Sequence, residues 1–372
     1  MITERELNRA LLARQGLLEP IAAPLQDVVR AIGAVQTQYW PALGAALWSR
    51  TPDLEPDQVY AALAEARLLT GTLLRGTIHT VAAAEYPAYA RVTATSTVAQ
   101  WMGTRDRPSS EAARLESELF EFTRQARTAE EINDWLEQWV ADHPAALSQA
   151  ELAYQRGNRW RAFRSQAGLL RAPADGRWGP KTPSLFRAAP VSEAPATEEA
   201  LDDVIRAHLR AFGPAAADDV SSWIAWTMTS VRAALTRMDD LVTFTDEAGR
   251  TLYDLPDAPR PDPETPAPVR LLPWFDSTLL AYAPKRRTRI LPEKLRDVVY
   301  VKVNGQLKPT FLVDGMVAGM WSIKVAKRTA TLTLMPLTTV GRTERSALET
   351  EAERLVRFCQ PAAKHHAVRY DA

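Results

Sequence analysis

Apolar positions recur at helical spacing from the start of the chain. Leu7, Leu11 and Leu12, then Leu17 and Leu18, follow Thr3 and Glu6, which stand at capping-box spacing. A second apolar run over 23 to 35 uses Leu25, Val28, Val29 and Ile32, and predicts another helix. Pro41 suits the first turn of a third helix, which leads through Leu43, Ala46 and Leu47 to Arg50.

Beyond Arg50 one pattern recurs. Residues 57 to 81 read as a short helix and two alternating strands, with Gly71 and Gly76 at the irregular points. Residues 152 to 189 repeat the order, with a helix through Trp160 and Phe163, the strand LLRAP, the turn ADGR and a returning strand. Residues 229 to 255 repeat it again around the turn DEAG. Helices followed by a two-stranded ribbon define the winged-helix arrangement, so the pattern predicts three such units in tandem.

Proline-rich or polar linkers near 104 to 110, 190 to 198 and 256 to 268 divide the chain. The expected units are 1–104, 110–190 and 197–257, followed by a C-terminal region over 268–372. That tail predicts strands at about 298 to 303, 308 to 314, 317 to 323 and 329 to 335, with turns at Asn304-Gly305 and Asp314-Gly315 and a closing helix from Glu344 to Phe358. The fold class is α+β: tandem winged-helix repeats with a small antiparallel sheet and helices at the end.

Composition narrows the class. A chain of 372 residues, 46% hydrophobic, can bury a large core. Its 45 basic and 45 acidic side chains cancel, so only local clustering could signal nucleic acid. The single cysteine, Cys359, excludes an intramolecular disulfide and a cysteine-rich zinc site. The charged, amphipathic N-terminus and the lack of a long apolar run predict a cytoplasmic protein with no membrane partner.

The chemistry centres on VQTQ. Gln36 and Gln38 share a face only if the segment is extended, because in an α-helix positions i and i+2 diverge by about 200°. An amide offers an acceptor oxygen and two donors and does not titrate near neutral pH. Two such groups can orient a water and face a developing positive charge when the leaving group is already activated, as in N7-alkylated purines. The alternative is that both amides only satisfy backbone groups at a helix end.

Basic residues cluster near the ribbons. Arg156, Arg159, Arg161, Arg164, Arg171, Arg177 and Lys181 surround the second repeat, and Lys285, Arg286, Arg287 and Arg289 form the densest run, followed by Lys302 and Lys308. Phosphate contact or a solvated face would explain either cluster. Arg75, Thr77 and His79 alternate in RGTIH and are expected on one polar ribbon face, lining a groove or facing solvent. Asp276 reads as a helix cap, and Trp101, Trp223 and Trp226 as core. GxGxxG, Walker, GxSxG and HExxH patterns are absent and His365-His366 lacks ligand spacing, so neither cofactor nor metal has support.

With these elements placed, nearly the whole chain resembles the winged-helix DNA glycosylases of the AlkZ/YcaQ type. The resemblance rests on VQTQ, LWSR and RGTIH, and on LLPWFD, KRRTR and FLVDGMVAGMW in the tail. It implies that Gln36 and Gln38 are the catalytic Gln-x-Gln element of the AlkZ-like branch, which is linked to self-resistance against the crosslinking natural product azinomycin B. The middle position, usually apolar, is Thr37 here. The implied activity is monofunctional excision of cationic N7-alkylpurines, bulky or crosslinked, from double-stranded DNA by a monomer. Arg75, Thr77, His79, Arg159, Arg177, Lys181, Lys285, Arg286, Arg287, Arg289 and Lys308 are its expected DNA contacts. A lyase step is not expected, since no lysine lies near the motif. The rival readings are a winged-helix transcription regulator without chemistry and a structural DNA clamp.

Overall fold

The computed structural model describes residues 1–96, 110–177, 179, 181–190, 194–301 and 305–371. Trp101, Lys302 and the turn residue Asn304 lie outside the described residues. The N-terminal helix Glu4–Arg14 carries the expected capping box, with Thr3 Oγ1 accepting from the Glu6 backbone N–H and Glu6 accepting from that of Thr3. The second helix, Leu25–Ile32, stops at Gly33, whose φ of +79 lies in a region that glycine adopts readily. This termination lets β1 (Val35–Gln36) run extended directly into the third helix, Pro41–Trp48.

After the helix Pro56–Ala64, β2 (Leu68–Thr72) and β3 (Ile78–Ala82) form the first ribbon, and β1 adds to its edge antiparallel to β3. In the second segment, Arg159 and Trp160 both adopt positive φ and divide the expected helix into Gln149–Gly157 and Arg161–Arg164. With β4 (Arg127–Thr128), the second ribbon of β5 (Leu169–Pro173) and β6 (Ser184–Ala188) joins the first in a six-stranded sheet ordered β1-β3-β2-β5-β6-β4. The join falls at Gly71, which pairs with Leu170 across β2 and β5. A Cβ there would stand 3.3 Å from the Leu169 carbonyl oxygen, so the small residue permits the close approach.

The third segment has helices Thr197–Phe212, Ala217–Ile224 and Met228–Arg237, then β7 (Val242–Thr245) and β8 (Thr251–Asp254). Its helices and the Glu4–Arg14 and Tyr86–Ala94 helices share one core with the 272–317 region, built on Phe212, Trp223, Tyr282 and Leu312 among others.

The C-terminal sheet departs from the expected all-antiparallel arrangement. It contains β9 (Arg270–Leu272), β12 (Thr310–Val313), β13 (Met316–Ala326), β14 (Thr329–Pro336) and β15 (His365–Tyr370), in the order β15-β14-β13-β12-β9. The strands β10 (Tyr300–Val301) and β11 (Gln306–Leu307) pair separately. The pairing β14–β15 is parallel, because the helix Arg342–Cys359 carries the chain back to the starting end of β14. Among the described residues no helix is long and apolar enough to cross a membrane.

Two buried ion pairs tie the segments together: Arg14 to Asp254 of β8, and Arg50 to Asp276. Arg50 Nη2 donates to Asp276 Oδ1 at 2.9 Å, with both side chains almost fully enclosed. Removing one partner of a buried pair strands the other charge, which typically costs about 3–5 kcal/mol. Arg50→Met is therefore expected to lower the free energy of unfolding by roughly that amount, read from urea denaturation.

Candidate active site

β1 ends at Gln36, Thr37 follows just past its end, and Gln38 stands in the bend that leads to the third helix. Thr37 points into the sheet and is fully buried, its hydroxyl 3.1 Å from that of Thr80, which is 2.7 Å from that of Thr70. The polar residue at a usually apolar position thus has a matching threonine on the one neighbouring strand, β3, and that threonine has its own on β2. Thr37 also donates its backbone N–H to the Ile78 carbonyl at 2.8 Å, which prolongs the β1–β3 pairing past Gln36.

The two amides are held differently. Gln36 is 7% exposed, and its Oε1 accepts from Arg75 Nη2 at 2.9 Å. Gln38 is exposed, and its Oε1 accepts from the Ile78 backbone N–H at 3.2 Å. Each carbonyl oxygen keeps a second lone pair, and neither Nε2 has a partner among the described residues. Behind Gln36, the crevice between β1 and the 273–277 segment is lined by Arg50, Trp274 and Asp276. Asp276 is both ion-paired and a cap, since its Oδ1 accepts from Thr278 N at 3.0 Å and Thr278 Oγ1 at 2.7 Å. Its Oδ2 has no partner among the described residues.

Arg75 supplies the link that the sequence pattern did not reveal. It sits in the Leu74–Gly76 turn with φ of +57, outside β3, so the expected polar ribbon face of Arg75, Thr77 and His79 does not form. Its guanidinium stacks 4.1 Å from the Trp223 ring and donates from Nη1 to the Trp223 carbonyl at 2.8 Å. Burial, and secondarily the positive charge of Arg287, pushes the Arg75 pKa down to about 9, which leaves it charged at neutral pH. His79 is completely buried, with its ring edge-on to Trp223. Its Nδ1 donates to the Thr77 carbonyl at 3.1 Å, leaving Nε2 as an acceptor 3.4 Å from Arg75 Nη2. Burial and the Arg75 charge hold its pKa well below the usual histidine range.

The basic run is also partly turned inward. Lys285 is exposed and Arg286 half-exposed, 3.7 Å from Asp218. Arg287 is half-buried and donates to the Tyr282 carbonyl, and Arg289 is buried, donating to the Pro214 carbonyl at 3.0 Å and stacking on Tyr282 at 4.0 Å. His79 and Arg289 are therefore internal structural groups and not surface DNA contacts. Arg159, Arg177 and Lys181 are exposed in and beside the second ribbon, while Thr77 and Lys308 are half-buried. Trp223 is core, as expected.

Comparison with known proteins defines the class: this chain is a DNA glycosylase. It belongs to the family described as DNA glycosylase AlkZ-like, whose model matches residues 29–358. It is 28% identical over 356 residues to an interstrand DNA cross-link repair glycosylase of Streptomyces sahachiroi, covering 91% of this chain and 92% of that protein. The solved structure of Streptomyces sahachiroi DNA glycosylase AlkZ is similar in fold, with a TM-score of 0.77, 21% identity and full coverage of both chains. Family membership sets aside the readings as a regulator or a clamp without chemistry.

The histidines around Trp223 generate a pH dependence. His208 packs 6.2 Å from the same ring, and burial pushes its pKa from 6.5 down to about 4. Below pH 6.5 the unfolded chain binds a proton that the folded chain refuses, so ν_U exceeds ν_N and stability falls as pH drops. The urea midpoint should decline between pH 6.5 and 4, and His208→Phe should flatten that decline.

Proposed function

We propose that the enzyme hydrolyses the N-glycosidic bond of cationic N7-alkylpurines in double-stranded DNA, including bulky adducts and interstrand crosslinks. The observation that carries this reading is the pair of neutral amides at the end of β1, with Gln36 fixed by the half-buried guanidinium of Arg75 and Gln38 by the Ile78 backbone. The name of the Streptomyces sahachiroi relative supports the extension to crosslinks. The three helix-and-ribbon segments are read as tandem winged-helix units that present β1 to the duplex, with Arg159, Arg177, Lys181, Lys285 and Arg286 as the phosphate contacts.

The reaction requires little proton chemistry. The C1′–N9 bond breaks with its electron pair passing into the positively charged purine, which leaves as a neutral base. Water oxygen then bonds to C1′ and its proton passes to solvent, leaving an abasic site. A neutral leaving group makes a general acid dispensable. The remaining tasks are to place the water and stabilise the oxocarbenium-like sugar. Gln38, exposed and held by one long backbone contact, is assigned to the water. Gln36 is assigned to the sugar, its remaining lone pair aimed by the Arg75 bond.

Single-turnover release of 7-methylguanine tests the assignment. Gln38→Leu or Gln36→Ala should slow release by about a hundredfold to a thousandfold, the cost of one preorganised polar group. Gln38→Asp keeps an acceptor and should retain substantial activity. Wild-type rates from both Gln38→Leu and Gln36→Ala, with circular dichroism confirming their fold, would remove the pair from the mechanism.

Arg75 is a positioning residue in this scheme. Arg75→Met should lower the single-turnover rate constant by roughly tenfold to 150-fold, the range for a hydrogen bond to a charged group, while leaving duplex affinity unchanged. Arg75→Lys should recover part of the loss. A drop in affinity without a drop in rate would instead make Arg75 a DNA contact.

A further inference from the structure

Beside the amide pair lies a cleft of about 490 Å³, within the range of small-molecule sites. Its walls include Tyr39, Trp40, Tyr60, Trp274 and Phe358, and among the described residues Arg177 is its only charged lining side chain. Two contacts join it to the catalytic strand. Trp274 borders both this cleft and the crevice behind Gln36. Ile78, whose backbone N–H holds Gln38, packs its side chain in one cluster with Trp40 and Tyr60.

We propose that this cleft binds a planar, uncharged aromatic substituent carried at N7 of the purine, which deepens the reading of the enzyme as an N7-alkylpurine glycosylase. The charge pattern decides between substituent and base. A cationic purine buried here would face Arg177 with no carboxylate among the described lining residues, Asp57 and Asp175 acting on Tyr60 only from outside the wall, whereas a neutral ring meets aromatic faces on several sides and can stack beneath the guanidinium. The walls are also braced. Tyr39 and Trp274 are in edge contact with centroids 4.9 Å apart, and Trp274 leans on buried Trp321 at 5.0 Å. Ile323 and Val325 of β13 complete the rim, and Val325 is one of only three large apolar side chains strongly exposed among the described residues. An exposed valine at the mouth of an aromatic cleft gives an entering ring apolar surface to cover.

The test compares excision from duplexes carrying one 7-methylguanine, one 7-benzylguanine or one 7-(2-ammonioethyl)guanine, at enzyme concentrations well below saturation. The wild type should favour benzyl over methyl and show no such gain for the ammonioethyl group. Tyr60→Ala should reduce the benzyl-to-methyl ratio by about tenfold, in line with the loss of one stacking partner; the ratio is the readout because Tyr60 also packs with Ile78, so that any general loss of rate cancels. Tyr60→Phe, which keeps the ring, should keep the ratio. Val325→Asp, placed on an already exposed residue, supplies a second variant that should lower it.

A wild-type ratio near one, or an unchanged ratio in both Tyr60→Ala and Val325→Asp, overturns the cleft assignment while leaving the glycosylase reading intact. A wild-type preference for the ammonioethyl group overturns it as well. No release of 7-methylguanine or 7-benzylguanine by the wild type would overturn the substrate reading itself, and the cleft assignment with it.

Discussion

The Arg50 guanidinium is where the segments of this enzyme meet. It donates to the Ala46 carbonyl and Ser49 Oγ on its own helix, to Gln15 Oε1 at the end of the first helix and to Asp276. Gln15 in turn donates to the Ile32 and Ala211 carbonyls, and Ser277, next to Asp276, donates to the Ala34 carbonyl. Ile32 and Ala34 flank the glycine that releases the chain into β1. A fully enclosed charge tolerates few geometries, because each unmade bond carries a large desolvation penalty. The network therefore fixes the level at which β1 crosses the molecule, and with it the positions of both glutamines.

The same logic explains the strand itself. A buried polar residue is tolerated when a neighbour answers it, and Thr37, just past the edge strand, is answered by Thr80 on β3, which Thr70 on β2 answers in turn. With Thr37 locked on one side, Gln36 before it takes the other, and Gln38 stands in the bend beyond, held by the Ile78 backbone. Arg75 then joins Gln36 to the Ala217–Ile224 helix through Trp223, while Gln38 is referenced to the start of β3. Such over-determination is what a preorganised site requires.

Much of this was legible in the sequence. The capping box at Thr3, the helix ending before the glutamines, the Asp276 cap and the three ribbons with their turns follow local chemistry, where spacing and residue type suffice. The site's support does not. LWSR and LLPWFD meet as an ion pair across 226 residues of sequence, and no periodicity announces that Arg50 is one partner and Asp276 the other. RGTIH alternates as a strand face would, yet the left-handed turn at Arg75 and the burial of His79 are set by the tertiary contact with Trp223. Likewise the KRRTR run looks uniformly basic, although two of its arginines spend their donors on carbonyls inside the fold. β15 escaped notice because a parallel edge strand reached through a long helix has no turn signal, and its residues alternate only between exposed and half-buried.

The Arg75 contact also gives a physical reason for an amide at position 36. A carboxylate in that place would pair with the half-buried guanidinium, and in the proposed reaction the pair would present almost no net charge to a cationic sugar. An amide accepts the same hydrogen bond without being neutralised, because it has no charge to lose. Its dipole survives the contact, and polarisation by the guanidinium orients it without a proton to exchange. Position 38 faces no such cation; its oxygen meets only a backbone N–H, so a negative charge there would keep its full field toward the substrate. The two glutamines are therefore chemically alike but stand in different electrostatic settings, and in the proposed reaction it is position 38 at which a carboxylate would replace an amide and still face a cationic transition state.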